Sequence, residues 1–184
     1  ITTLSRTYQT DISLIENGKI KQGDITDLDS MKIIIDGVYN ENQGLDIFVN
    51  NAGAWKLQTI GEEVERLRQM RALTRDGPTE IAEYLVNKFR DLEQLKILNV
   101  ISQAGLRFLP GNLGYGVGKM NLTINLLILQ GELNSQGIKN IDIYGLYPAT
   151  VATVGVIEEI RKGNLENATT LDSVVDTAMV LLND

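Results

Sequence analysis

The 184-residue sequence has no cysteine and no histidine, only three prolines, and aromatic residues at 5% of positions. The first two absences exclude a disulfide framework, a thiol nucleophile, a zinc site of Cys or His ligands, and a Ser-His-Asp triad. Acid-base chemistry must then fall to carboxylates, lysines, tyrosines or cofactor atoms, whose ordinary pKa values lie away from neutrality and need tuning by their surroundings. No apolar run approaches the roughly 18 residues of a membrane span, and the start lacks the basic-then-apolar order of a secretory signal. With 17 basic against 24 acidic residues and a net charge of -7, bulk positive charge for a nucleic-acid backbone is missing. The expectation is a cytoplasmic protein with neither nucleic acid nor membrane as partner. Its length fits one domain, at roughly 100 to 200 residues per domain.

Short apolar runs alternate with longer helical patterns. The strand candidates are Ile1 to Leu4, Ile20 to Gly23, Leu45 to Asn50, Lys96 to Ser102 and Ile141 to Tyr147. Asp46-Ile-Phe-Val49 and Ile97-Leu-Asn-Val-Ile101 are too continuously apolar to be half-exposed, which is how strands covered on both faces of a parallel sheet read. Helices are expected over Leu28 to Tyr39, Glu62 to Ala72, Thr79 to Arg90, Tyr115 to Asn134 and Leu171 to Leu182. This alternation predicts an α/β fold with a doubly wound parallel sheet, Rossmann-like, in three α/β/α layers. Such sheets bind ligands beyond the carboxyl ends of their strands, which directs attention to Ser5-Arg6, Asp24, Asn50-Asn51, Ser102 and the residues after Tyr147.

Tyr115 and Lys119 stand four positions apart at the start of a helix, so both side chains share a face. A nearby ammonium stabilises a phenolate and lowers its pKa toward the working range. Ser102 ends a buried strand, where its hydroxyl can hydrogen-bond a carbonyl oxygen while Tyr115 transfers the proton. Alone, the Tyr-x-x-x-Lys spacing is a weak signal that far more often means a surface tyrosine beside a solvated lysine. Its context is an ordered series: Leu45-Asp-Ile-Phe-Val-Asn-Asn-Ala-Gly53, Asn99-Val-Ile-Ser-Gln103, Tyr115-Gly-Val-Gly-Lys119 and Tyr147-Pro-Ala-Thr-Val-Ala-Thr153.

That series resembles the short-chain dehydrogenase/reductase family, with its Asn-Asn-Ala-Gly turn, catalytic Ser, Tyr-x-x-x-Lys pair and Pro-Gly-x-Val-x-Thr segment. Ser102 lies thirteen positions before Tyr115, the interval common in the family. The resemblance implies that Tyr115 is the proton donor and acceptor, that Lys119 lowers its pKa and binds the nicotinamide ribose, and that Ser102 polarises the carbonyl. No metal is required. It implies cofactor contacts from Asn51, Ala52 and Gly53, from Pro148, Val151 and Thr153, and from Asp24 to adenine. A tight turn needing small residues is the structural reading of Asn51 to Gly53, and both readings can hold. Arg6, with no carboxylate at the end of that strand, implies NADP(H) over NAD(H), because a guanidinium forms a charge-assisted fork to a 2'-phosphate. The substrate class is a small carbonyl or alcohol, and the apolar Leu122 to Leu133 helix implies a homodimer or homotetramer.

Three departures accompany the resemblance. The family's glycine-rich turn comes before the second strand and its last strand would follow Asp184, so the sequence is expected to lack both ends of the domain. Thr74 stands where many members have a catalytic asparagine, and Ala149 replaces the glycine of the Pro-Gly segment. These departures keep a non-catalytic Rossmann-like binding or regulatory protein open as an alternative. A hydrolase with Ser102 activated by Lys119 is a further one. Trp55, Leu106, Phe108 and Tyr147 are candidates for an apolar substrate pocket or for ordinary packing, and a substrate lid is expected between Thr153 and Leu171.

Overall fold

The computed structural model describes residues 2–5, 19–54, 61, 64–91, 94–107, 110–163 and 168–183. Five strands alternate with six helices among them. In chain order these are β1 (Thr2–Ser5), β2 (Lys19–Gln22), α1 (Leu28–Asn42), β3 (Ile47–Asn50), α2 (Val64–Arg71), α3 (Gly77–Phe89), β4 (Leu95–Val100), α4 (Leu113–Ser135), β5 (Ile141–Leu146), α5 (Val154–Arg161) and α6 (Leu171–Asn183). A π-helical turn, Ala72–Asp76, joins α2 to α3, and a 3-10 turn, Gln103–Gly105, follows β4.

Every strand pairing is parallel, as the expected Rossmann-like fold requires. Among the described residues the pairing forms two pieces, β1-β2 and β3-β4-β5. Alternate side chains of β4 serve the two faces of the sheet. Ile97 packs into a core cluster with Ile81, Leu85 and Phe89 of α3, Met31 and Ile35 of α1, and Leu133 of α4. Its neighbour Lys96 reaches the other way, donating to the Leu182 carbonyl of α6 at 2.9 Å. Helices therefore cover both faces at β4, which explains its continuous apolar run and matches the three-layer expectation.

Local signals set the element ends. Asp27 caps α1 by accepting from the Ser30 amide at 3.1 Å, and Gln43 closes it in the left-handed conformation, φ 57°. Across the helix layer, Asp36 of α1 accepts from both Tyr84 and Lys88 of α3. The π turn lets the helical path run unbroken from α2 into α3, so α3 begins at Gly77 with Pro78 in its first turn, earlier than the expected Thr79.

Among the described residues β3 pairs on one side only, with β4. Ile47 and Val49, alternate residues on one face, remain 44% and 48% exposed despite their apolar character. Beside them opens a cleft of about 950 Å³ lined by Asp24, Ile25, Met31 and the run from Gly44 to Ala54.

Candidate active site

β4 delivers Ser102 two residues beyond its last strand residue. There Ser102 N-caps the 3-10 turn, its Oγ accepting from the Ala104 amide at 3.1 Å. The Gln103 amide donates to the Pro148 carbonyl at 2.9 Å, tying this turn to the segment leaving β5. α4 presents Tyr115 in its first turn and Lys119 one turn later. The Ser102 hydroxyl lies near enough to the Tyr115 phenol to favour its ionised form.

Lys119 is 3% exposed and donates to the Val100 carbonyl at 3.0 Å. Its Nζ lies 5.9 Å from the Tyr115 ring centroid. Burial without a carboxylate partner disfavours the ammonium and lowers its pKa to about 8. Lys119 is still largely protonated at neutral pH, yet close to exchange. Tyr115 departs from the sequence expectation. Burial raises its pKa, a rise that the nearby Ser102 hydroxyl only opposes, and Lys119 donates to the Val100 carbonyl rather than to the phenol. The side chain is thus a neutral phenol at pH 7, fit to donate a proton.

The Asn51, Ala52 and Gly53 segment is exposed along the cleft. A Cβ placed on Gly53 would lie 4.0 Å from Lys119 Nζ, so this turn and the lysine border the same space. Asp24 lines the same cleft, one carboxylate oxygen fixed by the Thr26 amide at 2.9 Å and the Thr26 hydroxyl at 2.7 Å. Past β5, Val151 forms a parallel bridge to Thr169, and exposed Thr153 precedes α5 without a side-chain cap bond. Ala149 needs no glycine freedom, since Gln43 is the sole non-glycine residue with positive φ among the described residues. Arg6, Trp55 and Phe108 lie outside the described residues. Leu106 is exposed, while Tyr147 packs against the core cluster of Ala82, Ile101, Leu122 and Leu126 rather than standing free as a pocket wall.

Three features escaped the sequence reading. Asn50 and Asn99, paired in register on β3 and β4, join through Asn50 Nδ2 to Asn99 Oδ1 at 3.1 Å. Their signal was two asparagines at matching positions in otherwise apolar strands. The second feature is the orphaned donor this leaves, since Asn99 Nδ2 is buried without a hydrogen-bond partner among the described residues. The third is the π turn, which buries Thr74 completely.

The small exposed residues at the carboxyl end of β3 stand where parallel sheets of this kind bind ligands, with Gly53 beside Lys119. The sequence profile of the short chain dehydrogenase family matches residues 9–164. The chain belongs to that family. No curated protein sequence matches it. Among solved structures, ElxO with NADP bound is similar at 21% identity and TM-score 0.85, covering 100% of this chain and 80% of that one. A 3-oxoacyl-[acyl-carrier protein] reductase from Brucella melitensis in complex with NAD gives 16% and 0.81, over 98% and 79%. A 4-hydroxyisoleucine dehydrogenase complexed with NADH gives 16% and 0.80, over 100% and 79%. This short-chain dehydrogenase is an NAD(P)-dependent oxidoreductase with a Rossmann-like fold, which removes the non-catalytic alternative. Lys119 donates to the Val100 carbonyl rather than to Ser102, which disfavours the hydrolase reading.

Proposed function

We propose that the enzyme interconverts a small carbonyl compound and its alcohol, with NADP(H) preferred over NAD(H) and Tyr115 as the proton donor. The observation that carries this reading is the convergence of Ser102, Tyr115 and the buried Lys119, whose Nζ lies 5.9 Å from the Tyr115 ring centroid, beside the Asn51-Ala52-Gly53 turn. When bound, the nicotinamide nucleotide supplies or accepts the hydride. Asp24 and the Asn51-Ala52-Gly53 turn would hold its adenosine side, Tyr115 and Lys119 its nicotinamide ribose, and Pro148, Val151 and Thr153 its carboxamide end. In reduction, as hydride reaches the carbonyl carbon, the Tyr115 O–H bond breaks and its proton goes to the carbonyl oxygen. Ser102 donates to that same oxygen as negative charge develops there. Lys119, still an ammonium below its pKa of about 8, steadies the tyrosinate left behind. In alcohol oxidation the tyrosinate is the base.

Arg6 is the residue assigned to the 2'-phosphate. Calorimetric titration should give NADPH an affinity at least about tenfold above NADH, roughly 1.4 kcal/mol, and Arg6→Ala should erase the difference. Equal affinities in the unaltered protein would overturn the preference.

We also assign the outer face of α4 to self-association. Val117, Met120, Ile124, Leu127 and Ile128 are apolar and exposed at helical spacing along it. Sedimentation should show a homodimer or homotetramer, and a monomer at micromolar concentration contradicts the assignment.

A further inference from the structure

Thr74 is 0% exposed at the centre of the π turn, and its Oγ1 donates to the Met70 carbonyl at 2.6 Å. The hydroxyl is therefore committed to the backbone of its own helical path. Directly against it runs α4 at Gly118, between Tyr115 and Lys119. A Cβ built on Gly118 would fall 2.0 Å from Thr74 Oγ1 and 3.1 Å from Thr74 Cβ. The first distance is far inside van der Waals contact, and the buried Thr74 has little free space into which to turn. A second contact fixes the same stretch of helix. The Lys119 carbonyl accepts from Thr123 Oγ1 at 3.0 Å, and a Cβ on Gly105, in the turn begun by Ser102, would lie 3.0 Å from that carbonyl.

We infer that Thr74 is a positioning residue, which by packing on the bare backbone of Gly118 sets how far Lys119 reaches toward Val100, Tyr115 and the cleft. The inference rests on the catalytic reading of Tyr115 and Lys119 given above. Two physical points carry it. Glycine at 118 lets α4 approach the π turn more closely than any side chain permits, and the packed interior leaves few voids to absorb a displacement. An added methyl drives α4 outward by about an ångström, a misplacement that costs on the order of 100-fold in rate. The π turn supplies the inward-pointing Thr74 that an uninterrupted α-helix would carry in a different register.

The test is a double-mutant cycle on the full chain, Gly118→Ala, Thr74→Ala and both together. Readouts are NADPH affinity by calorimetry and turnover with NADPH over a panel of aryl aldehydes and cyclic ketones. The pH profile of the reverse oxidation of the matching alcohols is the third. Gly118→Ala should lose about 100-fold in kcat and about tenfold in NADPH affinity, and should raise the apparent pKa of alcohol oxidation by about one pH unit as the Lys119 ammonium, 5.9 Å from the Tyr115 ring centroid, moves further from the tyrosinate that forms there. Thr74→Ala, which opens space against Gly118 and lets α4 settle inward, should itself lose about tenfold in kcat, and a value within about threefold of the starting enzyme would overturn the positioning role. The double variant should recover to within about fivefold of the starting enzyme, with the original pH profile, because the added methyl takes up space the Thr74 side chain leaves. A merely structural role would lower the folded fraction without moving the pH profile.

Should Gly118→Ala fail to fold, recovery of a folded, active double variant still supports the coupling. A double variant no better than Gly118→Ala overturns it, as does a Gly118→Ala enzyme with unchanged affinity, kcat and pH profile. Tyr115→Phe separates the two readings. If it stays active the catalytic assignment fails, whereas an inactive Tyr115→Phe beside an unaffected Gly118→Ala removes the positioning role alone.

Discussion

Tyr115→Phe is expected to lower kcat by about 10²- to 10⁴-fold, the range typical for removal of a general acid. NADPH affinity should fall by no more than about tenfold, the worth of the one hydrogen bond proposed from the Tyr115 hydroxyl to the nicotinamide ribose. The expectation follows from the environment of the phenol. Burial raises its pKa, so at neutral pH the group carries the proton that carbonyl reduction consumes. Ser102, beside it, is placed to polarise the substrate oxygen but has no proton of suitable acidity to replace it. Stopped-flow measurement of NADPH consumption separates this loss in the chemical step from any change in nucleotide binding. A rate within threefold of the starting enzyme would exclude Tyr115 as the donor.

Lys119→Met should have two opposite consequences. Turnover falls by about 100-fold or more, since the charge that steadies the tyrosinate is gone. The ligand-free protein, by contrast, becomes more stable at pH 7. The folded-state pKa of Lys119 is lowered to about 8 from 10.5. Between those pH values the unfolded chain binds more protons than the folded one, so stability rises with pH across that window. Below pH 8 both states are protonated and the full cost of burying the ammonium is present, on the order of 3 kcal/mol. Methionine fills similar volume without that cost. Urea unfolding at pH 7 should show a gain of about 1 to 3 kcal/mol, shrinking as pH rises from 8 toward 10. A variant less stable than the parent at pH 7 would contradict the charge-burial account.

The parts of this enzyme legible in its sequence are those written as periodicity or as an ordered series. β4 carries the continuous apolar run of a strand covered on both faces, and β4 and β5 both fall within a residue or two of the expected positions. Ser102, Tyr115 and Lys119 were found because side chains at fixed offsets on a strand end and a helix converge wherever the parallel sheet forms. What was not legible depends on register in three dimensions. The π turn at Ala72–Asp76 leaves no mark in residue type, and neither does the contact between Thr74 and Gly118. Without that contact, Gly118 reads as a weak helix residue instead of a close approach. The direction of the Tyr115 shift also depended on where Lys119 spends its hydrogen bond. α5 was missed for a different reason. The expected lid contains a helix whose signals are present, Thr153 before it and Val156, Ile157 and Ile160 along it, but it is only eight residues long. Among the described residues, the open edge of β3 and its exposed Ile47 and Val49 run against the pattern that identified the strand.

The pH dependence of alcohol oxidation tests the central claim most directly, because in that direction Tyr115 must first lose its proton. Measured in single turnover with saturating NADP and the alcohol of the best carbonyl substrate, the rate should rise with pH through one apparent pKa. Tyr115→Phe should abolish that rise together with the rate. A rate independent of pH, or the same apparent pKa in Tyr115→Phe, would show that the proton passes through another group and would contradict the assignment of the Ser102, Tyr115 and Lys119 site.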